Sequence, residues 1–141
     1  MTLVLVDTNV VVSGVLAGAR ESPNRHILDA MMSGTLRFVL SEALLAEYRE
    51  GLLRPAIARR HGLTQADVDV VLEELVLNAR LYEPVPGTAD SSVPGDEHVI
   101  ALLRAVPEAV LVTGDHLLHQ AVARSGPALT PAEFASTLTP P

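Results

Sequence analysis

Residues Thr2 to Asn9 read Thr-Leu-Val-Leu-Val-Asp-Thr-Asn, a short run of Leu and Val at consecutive positions that stops at a carboxylate, a hydroxyl and an amide. A strand that is apolar at every position, not only at alternate ones, needs cover on both faces. A parallel sheet with helices on either side provides it. In such sheets ligands bind in the crevice at the carboxyl ends of the strands. Asp7, Thr8 and Asn9 stand at that end of the first strand. They are well suited to turning the chain and capping the next helix, and the triplet alone favours that role.

A chain of 141 residues can bury one full core, and residues 1–141 are read as a single domain. With 48% hydrophobic and only 3% aromatic residues, that core must be built from Leu, Val and Ala. No apolar run approaches the roughly 18 residues of a membrane span, and the first strand is too short, with no basic residue before it, for a signal peptide. A cytoplasmic protein without membrane association is expected. Cysteine is absent, which excludes disulfides and thiolate metal sites.

The net charge of −7 argues against a nonspecific polyanion binder, whose affinity comes from neutralising phosphates. All ten basic residues are arginine, however, and Arg49, Arg54, Arg59 and Arg60 fall in one short stretch. A guanidinium grips phosphate in a planar, bidentate fashion. General use of arginine in place of lysine on a solvated helix accounts for the stretch equally well.

Along the chain, Val10 to Ala17 is apolar enough for a buried helix, with Gly14 and Gly18 allowing close approach or a stop. Ser22-Pro23 starts a second helix that Ser33-Gly34 ends. Leu36 to Leu40 is the second strand, and Ser41 caps a helix to about Leu53 whose stripe is Leu44, Leu45, Tyr48 and Leu52. Glu47 falls about 110° from the centre of that stripe, at its border, while Glu50 faces water. After Pro55 comes a short turn of helix, then a helix from Gln65 to Arg80 capped by Thr64, and a short strand from Leu81 to Val85.

Pro84 to Gly95 is rich in proline and small polar residues and reads as a loop. Asp96 and Glu97 open the next helix, where carboxylates are ordinary capping groups. Ala109 to Thr113 is another apolar strand ending in a turn with an acid, Gly114-Asp115, before a helix from His116. His116 and His119 share a helix face without a third nitrogen or sulfur ligand, which favours ordinary surface histidines. Pro127 to Thr130 is a last strand, followed by a capping box at Thr130-Pro131 with Glu133.

Each acid has a structural use alone. Jointly, Asp7 and Asp115 end apolar strands, Asp96 starts a helix and Glu47 borders a buried helix face, and a parallel sheet brings all four to one edge. Oxygen-only ligands select hard divalent cations, Mg²⁺ or Mn²⁺, over zinc. Such ions suit hydrolysis of phosphate esters.

Five stretches carry a resemblance. They are Val6-Asp7-Thr8-Asn9-Val10 with Ser13; Ser41 to Tyr48 followed by Leu53-Arg54-Pro55; Pro94-Gly95-Asp96-Glu97-His98; Leu111-Val112-Thr113-Gly114-Asp115; and Leu129 to Phe134. In this order they resemble the PIN domain, in particular its small prokaryotic VapC-like toxin branch, over nearly the whole chain. The resemblance implies a three-layer α/β/α sandwich with a central, mainly parallel sheet of about five strands. It matches Asp7, Glu47, Asp96 and Asp115 to the family's metal-site acids, with Glu97 as an accessory carboxylate and Thr8, Asn9 and Thr113 as polar support. It implies a Mg²⁺- or Mn²⁺-dependent endoribonuclease acting on RNA, a homodimer, and an antitoxin protein as partner, while Arg49, Arg54, Arg59 and Arg60, a local positive patch on an acidic chain, are the expected RNA contacts. The chain departs from the branch at Val93-Pro94-Gly95-Asp96, where Asp-Pro-Asp-Asp is common, so two flanking acids are missing. A PIN-like module that binds RNA or protein without turnover is the alternative. A small-molecule phosphohydrolase on an unrelated fold is disfavoured, since Asn9 stands where a second catalytic Asp would be needed and no glycine-rich phosphate loop is present.

Overall fold

The computed structural model describes residues 2–84 and 95–138. Strand β1 (Leu3–Val6) leads to α1 (Thr8–Ala17) and α2 (Pro23–Ser33), and β2 (Arg37–Leu40) leads to α3 (Glu42–Leu53), α4 (Pro55–His61) and α5 (Gln65–Asn78). After β3 (Arg80–Leu81) come α6 (Glu97–Ala105), β4 (Val110–Val112), α7 (His116–Ala123), β5 (Ala128–Leu129) and α8 (Pro131–Ala135). The strands form one five-stranded parallel sheet in the order β3-β2-β1-β4-β5, the expected three-layer α/β arrangement.

All four residues of β1 are buried, as a run without alternation requires. Fully burying each Val or Leu contributes roughly 1.5–3 kcal/mol, so the central strand anchors the core. The chain moves outward from β1 to β2 and β3, then crosses back to β4 and β5 on the other side. The order reverses between β1 and β4, and at such a reversal a crevice opens beyond the strands' carboxyl ends. Asp7 follows β1 there, and Thr113, Gly114 and Asp115 follow β4.

Helix starts follow the sequence closely. Ser22 accepts from the Arg25 N–H, Ser41 from the Leu44 N–H, and Thr64 with Asp67 and Thr130 with Glu133 form complete capping boxes. Gly34 ends α2 with φ at 77°, a left-handed conformation that glycine adopts without penalty.

Some boundaries differ from expectation. Thr8 and Asn9 lie in the first turn of α1, not in the strand, because Asp7 turns the chain and its side chain accepts from the Thr8 N–H. Helix α5 stops at Asn78, and β3 is an exposed two-residue edge strand at Arg80–Leu81, where pairing with β2 begins; the Tyr82 N–H continues it to the Leu40 carbonyl. The loop expected over residues 84–95 lies almost entirely outside the described residues.

Two close approaches fix the helices that carry the site. At Gly14 a Cβ would stand 2.9 Å from the Asn24 carbonyl oxygen and from Leu28 Cβ, so α1 and α2 meet through an absent side chain. Helix α3 buries Leu44, Tyr48 and Leu52, and the fully buried Tyr48 hydroxyl donates to the Val6 carbonyl oxygen at the end of β1. Among the described residues no helix is long and apolar enough to cross a membrane.

Candidate active site

Asp7 is only 4% exposed and is surrounded by donors. Its Oδ1 accepts from the Thr8 N–H at 2.9 Å, and its Oδ2 accepts from Thr113 Oγ1 at 2.6 Å and Asn9 Nδ2 at 3.2 Å. Asn9 Oδ1 in turn accepts from the Gly114 N–H at 3.3 Å, which ties the start of α1 to the turn after β4. Burial pushes the Asp7 carboxyl above its ordinary value, the hydrogen bonds from Thr113 and Thr8 oppose this, and the charges of Glu47 and Asp115 add to the rise.

Glu47 leans out from the border of α3, half-buried as its angle on the stripe requires. Gly51, one turn further on, has only 3.2 Å between its missing Cβ and the Thr8 and Val12 methyl groups, so α1 and α3 lie close enough for Thr8 to reach Glu47. Thr8 Oγ1 donates to Oε1 at 2.6 Å, and His98 Nε2 bonds Oε2. The His98 bond lowers the Glu47 carboxyl most; burial opposes it, and Thr8 and the Arg54 charge assist it. The same bond raises His98 against its own burial.

Asp96 and Asp115 both precede helices but are used differently. Asp115 caps α7, its Oδ1 accepting from the Leu117 and Leu118 N–H groups at 3.0 and 3.2 Å, while its own N–H donates to Thr113 Oγ1 at 2.9 Å. Asp96 stands at the corresponding position of α6 and makes no side-chain cap bond, so the capping role open to it in the sequence is not the one it fills. Burial first, then the charges of Asp7, Asp115 and Glu47, push its carboxyl up to about 6, with His98 opposing.

Asp96 therefore feels the charges of the other three acids, and Asp7 those of Glu47 and Asp115, a pattern that marks a candidate functional site. Among the described residues, no three acid or histidine side chains are grouped closely enough to hold a metal ion as they stand, and Glu47 and Asp115 already have oxygens bound to Thr8, His98 and the start of α7. The donor chemistry nevertheless fits a hard divalent cation: the ligands are oxygens, Asp96 is not spent on a cap, and like charges raise two of the carboxyls.

Other expected residues lie at varying remove. Glu97 is exposed, and the charges that act on Asp96 are those of Asp7, Asp115, Glu47 and His98. Arg49 pairs with Asp69 of α5 at 2.9 Å, while Arg54 is exposed between α3 and α4 and its charge reaches Glu47. Arg59 and Arg60 are exposed in the last turn of α4, where the helix dipole also favours cations. Sequence pattern includes His98 in a matched stretch without giving it a role, and gives Thr8 only a supporting place. The available signal is His98's position two residues after Asp96, on the polar side of a helix with a strongly apolar face.

The sequence profile of a family described as PIN domain matches residues 3–117, from the first residue of β1 to the first turn of α7. The chain is a PIN-domain protein. PIN domains are generally metal-dependent nucleases that act on RNA, and the chain has that nuclease-like fold. A comparison with curated proteins gives no match. The matched span of this PIN domain contains Asp7, Glu47, Asp96 and Asp115.

Proposed function

We propose that this PIN domain is a Mg²⁺- or Mn²⁺-dependent endoribonuclease, with Asp7, Glu47, Asp96 and Asp115 as its metal-site acids. One observation carries the reading: the charges of Asp7, Asp115 and Glu47, from three other segments of the chain, act on Asp96 and with its burial push its carboxyl to about 6. Asp7, Glu47, Asp96 and Asp115 would hold the cation. When bound, such an ion lowers the pKa of an attacking water and offsets charge on the phosphoryl and leaving oxygens. The chain's own part is to keep Asp7 oriented through Thr113, Thr8 and Asn9 and to bring an RNA phosphate in over Arg54, Arg59 and Arg60. Glu47, kept ionised by His98 and Thr8, is positioned to orient or accept a proton from water.

The finer assignment, a toxin paired with an antitoxin protein and working as a cytoplasmic homodimer, is supported by the resemblance to the toxin branch. The exposed Val70, Leu77 and Leu81 on α5 and β3 are apolar surface of the kind a second copy would cover. Light scattering at micromolar concentration should give a dimer, and a monomer would remove that part.

A labelled RNA pool incubated with Mn²⁺ should be cut by wild type, with 5′-phosphate and 3′-hydroxyl ends, and left intact by Asp7→Asn. Cutting that survives EDTA, or that is equal in both proteins, would refute the nuclease. Binding without cutting would favour the reading as an RNA-binding module, which the missing acids before Asp96 support.

A further inference from the structure

We propose that His98 is a positioning residue for Glu47, fixing from α6 a carboxylate that Thr8 fixes from α1. The inference rests on the reading of the acidic cluster as a metal site and goes beyond it, because it adds a residue that no acid pattern marks.

Three elements distant in sequence meet at this carboxylate. Thr8 lies 39 residues before Glu47 and His98 lies 51 residues after it. A glutamate at the border of a helix has several torsions free, and holding it in one orientation costs side-chain entropy. One donor on each oxygen sets both the place and the plane of the carboxylate. Each oxygen has a second lone pair, so Glu47 remains able to serve an ion or a water while held.

The imidazole is committed to this bond. Its Nδ1 is buried without a hydrogen-bond partner among the described residues, and an unpaired buried polar atom costs free energy. The buried side chains of α6 are Val99 and Leu102, so core packing supplies no reason for a histidine here. Hydrogen-bonding partners behind metal-site carboxylates typically contribute 10–100-fold in metal affinity or activity.

A purely structural role, fastening α6 to α3, would alter stability and leave metal affinity alone. The test is therefore Mn²⁺ affinity by isothermal titration calorimetry of the full chain, for wild type, His98→Phe, His98→Gln, Glu47→Gln and the double variant His98→Phe/Glu47→Gln. Phe keeps the ring volume and removes the donor, and Gln restores an N–H. We expect His98→Phe to weaken Mn²⁺ binding about 10–100-fold, His98→Gln to recover part of it, and His98→Phe to add nothing once Glu47 is Gln. Thermal unfolding in EDTA identifies folded variants; should His98→Phe fail to fold, His98→Gln against wild type, alone and with Glu47→Gln, decides. Unchanged affinity in His98→Phe, or an equal loss with and without Glu47, overturns the proposal. RNA cutting measured in parallel separates the two readings. Cutting by wild type with no effect of His98 on Mn²⁺ affinity removes the positioning role alone. Coupled Mn²⁺ binding without cutting removes the nuclease alone, and no Mn²⁺ binding by wild type removes both.

Discussion

Thr113 Oγ1 donates to Asp7 Oδ2 at 2.6 Å across 106 residues of sequence, and the same hydroxyl oxygen accepts the Asp115 N–H at 2.9 Å. One side chain thus joins the ends of β1 and β4 and orients two acids. Its single proton goes to Asp7, whose ionised carboxylate can only accept, while its oxygen accepts the Asp115 N–H.

Thr113→Val, nearly the same shape without the hydroxyl, should cost about 1.5–3 kcal/mol of stability at pH 7, the range for a hydrogen bond to a charged group. Thr113→Ser should recover most of it. The removed bond is the main influence lowering the Asp7 carboxyl, so Asp7 rises further above its ordinary value. The deficit of the Val variant should shrink as pH falls and Asp7 protonates. Urea titrations at pH 7 and pH 4.5 would show this, and a Val variant as stable as wild type at pH 7 would refute it.

Asp96→Asn should stabilise the metal-free protein at pH 7. The folded carboxyl is raised from 3.8 to about 6 by burial and neighbouring charge, so its favourable contribution is complete below about pH 4 and lost as pH climbs through about 6. The advantage of Asn should therefore be absent near pH 4 and full by pH 7, with no cap bond sacrificed. Mn²⁺ should reverse the order, since only the intact cluster binds it well and binding stabilises the native state. Melting curves in EDTA and in Mn²⁺ test both halves. An Asn variant that melts below wild type in EDTA at pH 7 would contradict the charge-cluster account.

What the sequence disclosed was whatever depends on local pattern. Continuous apolar runs marked β1 and β4, Ser22-Pro23 and Thr130-Pro131 marked helix starts, and the 3.6-residue period put Glu47 at a border. Meetings between distant segments were hidden. Tyr48 counted as one more apolar residue, although its hydroxyl bonds Val6. The meeting of His98 with Glu47 depends on how far α6 lies from α3, which no periodicity encodes. Asp96 and Asp115 look alike as acids before helices, yet only Asp115 caps, because φ and ψ at Asp96 (−106° and 14°) depart from the extended cap geometry seen at Asp115 (−80° and 112°).

Gly14→Ala should destabilise the protein by about 1–3 kcal/mol, the usual cost of forcing atoms into a filled interface. The added methyl meets a backbone carbonyl and a Cβ at 2.9 Å, neither of which can swing away. Urea unfolding measures it, and a neutral result would mean that α1 and α2 separate at little cost.

Replacing Arg54, Arg59 and Arg60 together by Gln should weaken RNA binding and flatten its salt dependence, by roughly 0.7 in the log–log slope for each phosphate no longer neutralised on single-stranded RNA. Fluorescence anisotropy in EDTA at several NaCl concentrations reads the slope. An unchanged slope would assign these arginines to solvent and to the dipole of α4.

The bond from the Tyr48 hydroxyl to Val6 gives Asp7 and Glu47 a common mount, since Val6 immediately precedes one acid and Tyr48 immediately follows the other. Strand and helix are pinned at the point where they carry these acids, so load applied to Glu47 passes into the sheet instead of tilting α3. The spacing of this pair is then a fixed dimension of the molecule, as in a jaw cast in one piece. Helix α6 is tied to the same mount, since its His98 bonds Glu47.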